Sequence, residues 1–389
     1  MLYRIKIGKR IKNKILGGKQ VFSTSEIRLI DVPVGSLALL EYGSFKAYAS
    51  LNPLNPIRYA RIVYIGENLD IGDLFYSRIK EAYEKREKFG YNGVYRLVYS
   101  ESDFLSGLII DRFNDIFVIQ NSNPFFDRNI EYIKDTLLDI FGSSITIVNK
   151  SSGKSREFER LEPRIETIYG DKTIGYIQEN NSTFIFDIIS GQKTGWFLDQ
   201  RENRLDVSKL AFGDVLDVFS YVGGFGIQIE NYDTITFIEK NNTAVTYLKK
   251  NLRLNNKDNY TVLRGNAFHI LKKLGFEGKK YDTIILDPPD LLQEGKYKGW
   301  KALLLINSIA MDLLKKDSIF ITFSCSENVN KEKFYRAIVA IARRKGYIPI
   351  LIKEYRQSKD HFVIYSHKEL EYLKGFAFRM IKSSNIRDK

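Results

Sequence analysis

Cysteine is almost missing from this chain: Cys325 is the single one in 389 residues. No disulfide framework can form, so a reducing compartment suits the chain. Histidine is nearly as scarce, with only His269, His361 and His367, and a zinc site is therefore not expected. A P-loop is also excluded, because no Gly-Lys-Ser/Thr occurs after a glycine-rich turn. No apolar run approaches the roughly 18 residues of a membrane span, and the N-terminus lacks the apolar stretch of a signal peptide. These absences lead to the expectation of a soluble, cytoplasmic protein without metal or membrane partner.

What the chain has in quantity is apolar material and positive charge. At 44% hydrophobic and 13% aromatic residues it can build several cores, and its length suggests two or three domains. The formal charge of +13 points to a polyanionic partner. Arg4, Lys6, Lys9, Arg10, Lys12, Lys14, Lys19 and Arg28 stand against one acid, Glu26, within the first thirty residues. Such a cluster suits an RNA surface; a solvated basic face is the plainer alternative.

Three regions are expected. Residues 1–75 alternate short apolar runs with turn signals and read as a small β domain. Lys80–Lys88 reads as a charged connecting helix. Residues 76–170 read as a middle α/β domain, with strands at Tyr95–Tyr99, Ile116–Asn121 and Ser144–Asn149 and an amphipathic helix over Asn129–Phe141. Residues 171–389 alternate strands and helices, which argues for a parallel, doubly wound sheet.

Within that last region Val215-Leu216-Asp217-Val218 runs into Phe219-Ser220-Tyr221-Val222-Gly223-Gly224-Phe225-Gly226, a glycine-rich turn at a strand end. Ligands of open α/β sheets bind at such carboxyl ends, and glycine permits close backbone approach. The dinucleotide spacing fails, because Ile229 occupies the third glycine position. Glu239, 22 residues after Asp217, closes the next strand, where an acid can accept ribose hydroxyls. Gly265-Asn266-Ala267 follows the third strand and can offer an amide to an adenine edge. An adenosine-bearing ligand without phosphates fits, and S-adenosyl-L-methionine (SAM) is the expected cofactor. Asp217, Phe219, Tyr221, Gly223, Phe225, Glu239, Lys240, Asn266, Ala267, Asp287 and Pro288 are the positions expected against it.

Asp287-Pro288-Pro289-Asp290 ends the fourth strand as a rigid turn, since proline fixes φ and lacks a donor. Cys325, in Thr322-Phe323-Ser324-Cys325-Ser326, ends the fifth. A lone cysteine is commonly a buried space-filler. Beside an Asp-Pro-Pro turn it reads as a nucleophile: a thiolate adding to carbon 6 of a pyrimidine makes carbon 5 able to accept a methyl group. An ordinary thiol, with a pKa of about 8.5, is only slightly ionised at neutral pH, so a positive neighbour or helix N-terminus is expected nearby. The base that removes the carbon 5 proton stays open among Asp287, Asp290, Asp360 and water.

Gly191-Gln192-Lys193-Thr194-Gly195-Trp196-Phe197-Leu198-Asp199-Gln200-Arg201-Glu202-Asn203-Arg204 resembles the signature of the PUA-domain-containing 23S ribosomal RNA cytosine-carbon-5 methyltransferases. Ser106–Phe113, Asp360-His361 and Tyr372–Gly375 are similar as well. The resemblance implies an N-terminal PUA RNA-binding barrel, an α+β middle domain and a Rossmann-like class I SAM-dependent methyltransferase domain. It makes Cys325 the nucleophile and Asp287 the residue facing the target base, with Gln192, Lys193 and Thr194 beside the cofactor. The chain departs from the family pattern at Asn266, Asp290 and Glu327, and its helix after Gly226 reads as short. A ribosome-assembly factor that has lost activity and a tRNA methyltransferase are the alternatives; oligomeric state is open.

Overall fold

The computed structural model describes residues 2–294 and 296–383. Residue 1 and residues 384–389, the outer ends of the first and third expected domains, lie outside the described residues, as does Gly295. Among the described residues the chain forms an α/β fold of four sheets divided between two compact units.

The first unit holds residues 2–175 together with Gln192–Gly195 and Lys359–Leu370. Its N-terminal sheet runs in the order Leu2–Lys6, Ser36–Tyr42, Phe45–Leu51, Ala60–Ile65, Val21–Phe22. Lys9–Leu16, read within a run of short strands, is a helix instead. Ile11 and Ile15, one turn apart, are its buried residues, and that spacing outweighs the many cations around them. A second sheet runs Arg164–Tyr169, Thr146–Ser151, Ile116–Asn121, Leu108–Phe113, Val94–Tyr99. The charged helix is longer than its basic stretch, Ile71–Lys88, and Asp70 caps it by accepting from the Asp73 amide. It is no mere connector: Leu74, Phe75, Ile79 and Ala82 lie buried in one core with Leu39 and Val63 of the first sheet and Ile110 and Phe117 of the second. This shared core makes one unit of both sheets, and the 75/76 boundary falls inside the helix.

Two segments return to this unit from far along the chain. Asp360 Oδ2 accepts from the Arg96 amide at 2.8 Å, and the Gln20 amide donates to His367 Nε2 at 3.0 Å. Local sequence pattern carries no trace of such pairings.

The second unit starts at Tyr176, inside the first strand of a hairpin, Ile174–Glu179 and Ser182–Asp187, rather than with the expected strand–helix alternation. A seven-stranded sheet follows: β1 (Asp214–Val218), β2 (Thr234–Glu239), β3 (Tyr260–Arg264), β4 (Tyr281–Leu286), β5 (Leu314–Ser324), β6 (Tyr347–Tyr355) and β7 (Lys374–Lys382). The order is β3-β2-β1-β4-β5-β7-β6. The first five pair in parallel, but β7 inserts antiparallel between β5 and β6, so the sheet is mixed where a wholly parallel one was expected. Helices α1 (Arg201–Leu210), α2 (Asn242–Leu254), α3 (Ala267–Phe276), α4 (Lys296–Met311) and α5 (Lys331–Arg344) accompany it. Leu216, Ile284, Phe320 and Phe378 on the strands meet Leu271, Ile306 and Ile338 on the helices in its main core. Among the described residues, no helix is long and apolar enough to cross a membrane.

Candidate active site

β1 ends in a backbone that local preference does not favour. Phe219 (φ 64°) and Tyr221 (φ 50°) are non-glycine residues in the left-handed region, and Gly223 follows at φ 93°. Such strain persists only where surroundings enforce it, and it clusters at functional sites. Asp217 supplies part of the enforcement: its buried Oδ2 accepts from the Gly226 amide at 2.9 Å. Burial pushes this carboxyl up to about 7, against the pull of the Gly226 amide and helped by the charges of Asp287 and Glu239. The glycines answer to packing more than to a ligand. A Cβ at Gly226 would lie 2.4 Å from the Phe237 ring, and one at Gly223 would lie 2.5 Å from Ile227. The short helix after Gly226 is a single 3-10 turn, Gly226–Gln228.

Residues with no obvious signal of their own brace this turn. Asn251 of α2 donates to the Val222 carbonyl at 3.0 Å and pairs through its side chain with both backbone groups of Ile185 in the hairpin. Glu179 receives Trp196 Nε1, Arg204 Nε and Nη2, and Gln228 Nε2. Gly224 packs on Arg204 and Trp196, so two residues of the signature block buttress the glycine-rich turn. Four donors on one buried carboxylate explain why Glu179 stays ionised; burial opposes this, and Arg204 is the main counterweight.

At the end of β2 the Glu239 carboxylate is fixed by three backbone amides: Tyr221 on Oε2 at 2.9 Å, and Lys240 and Asn241 on Oε1, each at 2.7 Å. Oε1 is thereby filled, and capacity for a ribose hydroxyl remains on Oε2, one acceptor where two were expected. A cavity of about 380 Å³ opens on this edge, walled by Phe219, Ile238, Ala267, Phe268 and Leu291, with Lys240, Lys298 and Asn266 as polar groups. Asn266 Oδ1 caps α3 by accepting from Phe268 at 2.9 Å, which leaves its amide NH₂ as the group able to address a ligand. Apolar walls, one amide and an adjacent fixed carboxylate fit an adenosine moiety.

β4 and β5 are neighbours, with Leu286 opposite Thr322. Their carboxyl ends therefore bring the Asp-Pro-Pro turn and Cys325 together: the half-buried Sγ lies 3.8 Å from the Pro288 carbonyl. Gln200, from the signature block, donates through Nε2 to Asp287 Oδ2 at 3.1 Å. Asn203 donates to Gln200 Oε1 at 2.7 Å, which fixes the direction of that amide. Gln200 thus orients Asp287, a role spacing alone did not reveal. Asp290 Oδ1 is engaged by the Leu292 amide at 3.0 Å.

Gln192, Lys193 and Thr194 belong to the first unit, where the fully buried Thr194 hydroxyl donates to Asp111 Oδ2 at 2.7 Å. Asp111 in turn forms a two-bond pair with Arg96, so Thr194 is committed to an internal network. Asp360 is fully buried in that unit, bonded to His361 Nδ1 at 2.6 Å and to the Arg96 amide, and is no free base. Of the eight basic residues near the N-terminus, Lys14 and Lys19 hold Glu26 at 2.6 and 2.8 Å. Burial opposes ionisation of Glu26, but those two ammonium groups outweigh it and hold the carboxyl down at about 2. Lys6, Lys9, Arg10 and Arg28 are exposed; Arg4 bridges to Glu41 at 3.4 Å, and Lys12 lies over the Tyr42 and Phe45 rings.

Comparison with known proteins agrees with this geometry. The family described as Conserved hypothetical protein 95 matches residues 200–346. A Methanocaldococcus jannaschii protein with the provisional name ribosomal RNA large subunit methyltransferase is 37% identical over 311 residues, 76% of this chain and 77% of its own. Ribosomal RNA large subunit methyltransferase I of Klebsiella pneumoniae is 32% identical over 87% of this chain and 88% of its own. A solved methyltransferase structure in complex with S-adenosylhomocysteine superimposes with a TM-score of 0.81, covering 97% of this chain and 100% of that one at 18% identity, a likeness of fold. With identity of this order across most of both chains, the protein belongs to the SAM-dependent ribosomal RNA large subunit methyltransferase I family.

Proposed function

We propose that this protein methylates carbon 5 of a cytosine in large-subunit ribosomal RNA, with Cys325 as covalent nucleophile and Asp287 facing the base. The observation that carries the reading is the 3.8 Å approach of Cys325 Sγ to the Pro288 carbonyl, which joins the thiol to the Asp-Pro-Pro turn. A methyltransferase acting on an exocyclic amine needs no thiol at that strand end.

Bound SAM supplies the methyl group as an electrophile; Glu239, Asn266, Ala267 and the walls of the adjoining cavity are the residues to hold it. Cys325 thiolate forms a bond to carbon 6, and the electron pair of the 5,6 double bond moves to carbon 5. Once carbon 5 carries the methyl group, its proton leaves to a base, the carbon–sulfur bond breaks and the double bond re-forms. Asp287, held by Gln200, is placed to bond the polar edge of the ring. The target base has to be unpaired or flipped, because neither carbon is accessible within a stack. The N-terminal sheet, as a PUA-like module, and the exposed cations Lys6, Lys9, Arg10 and Arg28 would carry RNA binding.

RNA containing 5-fluorocytosine tests this chemistry, because fluorine cannot leave as the proton does. The expected outcome is a denaturant-stable protein–RNA complex that maps to Cys325 and is absent from Cys325→Ser. A complex mapping to another residue would refute the assignment.

A further inference from the structure

Lys374 is the first residue of β7 and pairs in register with Ser324, one residue before the cysteine. Its side chain is buried, only 8% of the residue being exposed. The ammonium donates to the Ser326 carbonyl at 3.0 Å and to the Tyr372 carbonyl at 3.1 Å. Both partners are neutral backbone groups. Burying a cation is costly without a hydrogen-bonded counter-charge, and the paired ends of β5 and β7, at Ser324 and Lys374, bear that cost next to Cys325 in the chain. The ionisable groups around it are Glu371, the exposed Glu327 and Cys325 itself. Burial pulls the Lys374 ammonium below its ordinary value, while Glu371, Glu327 and the Cys325 sulfur pull the other way. Asp287 and Asp290, on the turn that carries the Pro288 carbonyl, are further acids on this edge.

We propose that Lys374 is a positioning residue that keeps Cys325 in its thiolate form by presenting a buried positive charge to the sulfur. The inference rests on the reading of Cys325 as nucleophile. It supplies the positive neighbour that an efficient thiol at neutral pH requires. Lys374 acts through charge: its hydrogen bonds go to the carbonyls, which aim the ammonium and lock the Ser324–Ser326 backbone. Because those bonds go to neutral carbonyls and do not neutralise it, the field of the cation acts on the sulfur. Thiolate so formed adds to carbon 6, and no oxidant or further reactant is required.

Since Cys325 is the single cysteine, alkylation by iodoacetamide reads its ionisation without RNA or cofactor. The rate is measured from pH 5.5 to 10 on the full chain for wild type, Lys374→Met and Lys374→Arg. The expected wild-type midpoint lies below the ordinary value of about 8.5. Lys374→Met should move it upward by about one unit, slowing alkylation at pH 6.5 roughly 10-fold. Lys374→Arg, which keeps the charge, should stay near the wild-type profile. Superimposable wild-type and methionine profiles would overturn the proposal. Should the methionine variant not fold, a wild-type midpoint at or above about 8.5 overturns it equally. A failure of the nucleophile reading looks different: Cys325→Ala would still form 5-methylcytosine, whatever the titration of the thiol.

Discussion

Asp217 carries a cost that depends on pH. Its folded-state value of about 7 stands well above the ordinary value of about 3.9 in an unfolded chain, because burial disfavours the charged form. The protonated carboxyl therefore favours folding below about pH 4, and that advantage is lost as pH rises through 7. Asp217→Asn keeps an acceptor for the Gly226 amide and removes the charge. Its thermal midpoint should exceed that of wild type at pH 8 and converge with it near pH 4; a uniformly lower midpoint would contradict the assignment. Gln200 acts on another carboxylate. Replacing it by Leu removes the 3.1 Å bond to Asp287, and kcat should fall about 10-fold, the worth of one charge-assisted hydrogen bond. SAM affinity should stay within about 2-fold, by calorimetry, since Gln200 does not line the cavity beside Glu239. A SAM affinity that fell with kcat would place Gln200 in the cofactor site.

At the scale of elements, the glycine-rich turn tests packing. Gly226→Ala drives a Cβ to 2.4 Å from Phe237 and 3.0 Å from Asp217 Oδ2. A loss of about 1–3 kcal/mol in denaturant unfolding, with weakened SAM binding, is expected from such overpacking. Unchanged stability would show that the turn relaxes freely. The strands around this turn were legible because buried parallel strands are continuous apolar runs. β1, read as Val215–Val218, spans Asp214–Val218, and Glu239 closes β2 as expected. The carboxyl-end placement of Asp287 and Cys325 followed from the same runs. What was not legible depends on distant partners. The helix Lys9–Leu16 hides its two isoleucines among cations, and antiparallel β7 reads like any other apolar strand. The bond from Gln200 to Asp287 spans 87 residues, and that from Asn251 to the hairpin spans 66. Periodicity describes one element at a time and cannot announce such pairings.

Over the whole molecule, the net charge of +13 is a weaker guide than the placement of the exposed cations. Neutralising Lys6, Lys9, Arg10 and Arg28 together should weaken binding to RNA fragments broadly. The slope of log K against log salt should fall by about 0.7 for each single-strand phosphate that the protein no longer neutralises. Neutralising Lys14 and Lys19 should instead lower stability near neutral pH, because Glu26 loses the partners that hold it ionised. Equal salt slopes for the wild type and the fourfold variant would remove the N-terminal face from the RNA surface. The central claim is that Cys325 carries methyl transfer to carbon 5. Its most direct test is transfer from labelled SAM to unmodified large-subunit ribosomal RNA, followed by nucleoside analysis, for wild type and Cys325→Ala. The account predicts labelled 5-methylcytosine from wild type and none from the variant. Labelled 5-methylcytosine from Cys325→Ala, or a different labelled nucleoside from wild type, would contradict it.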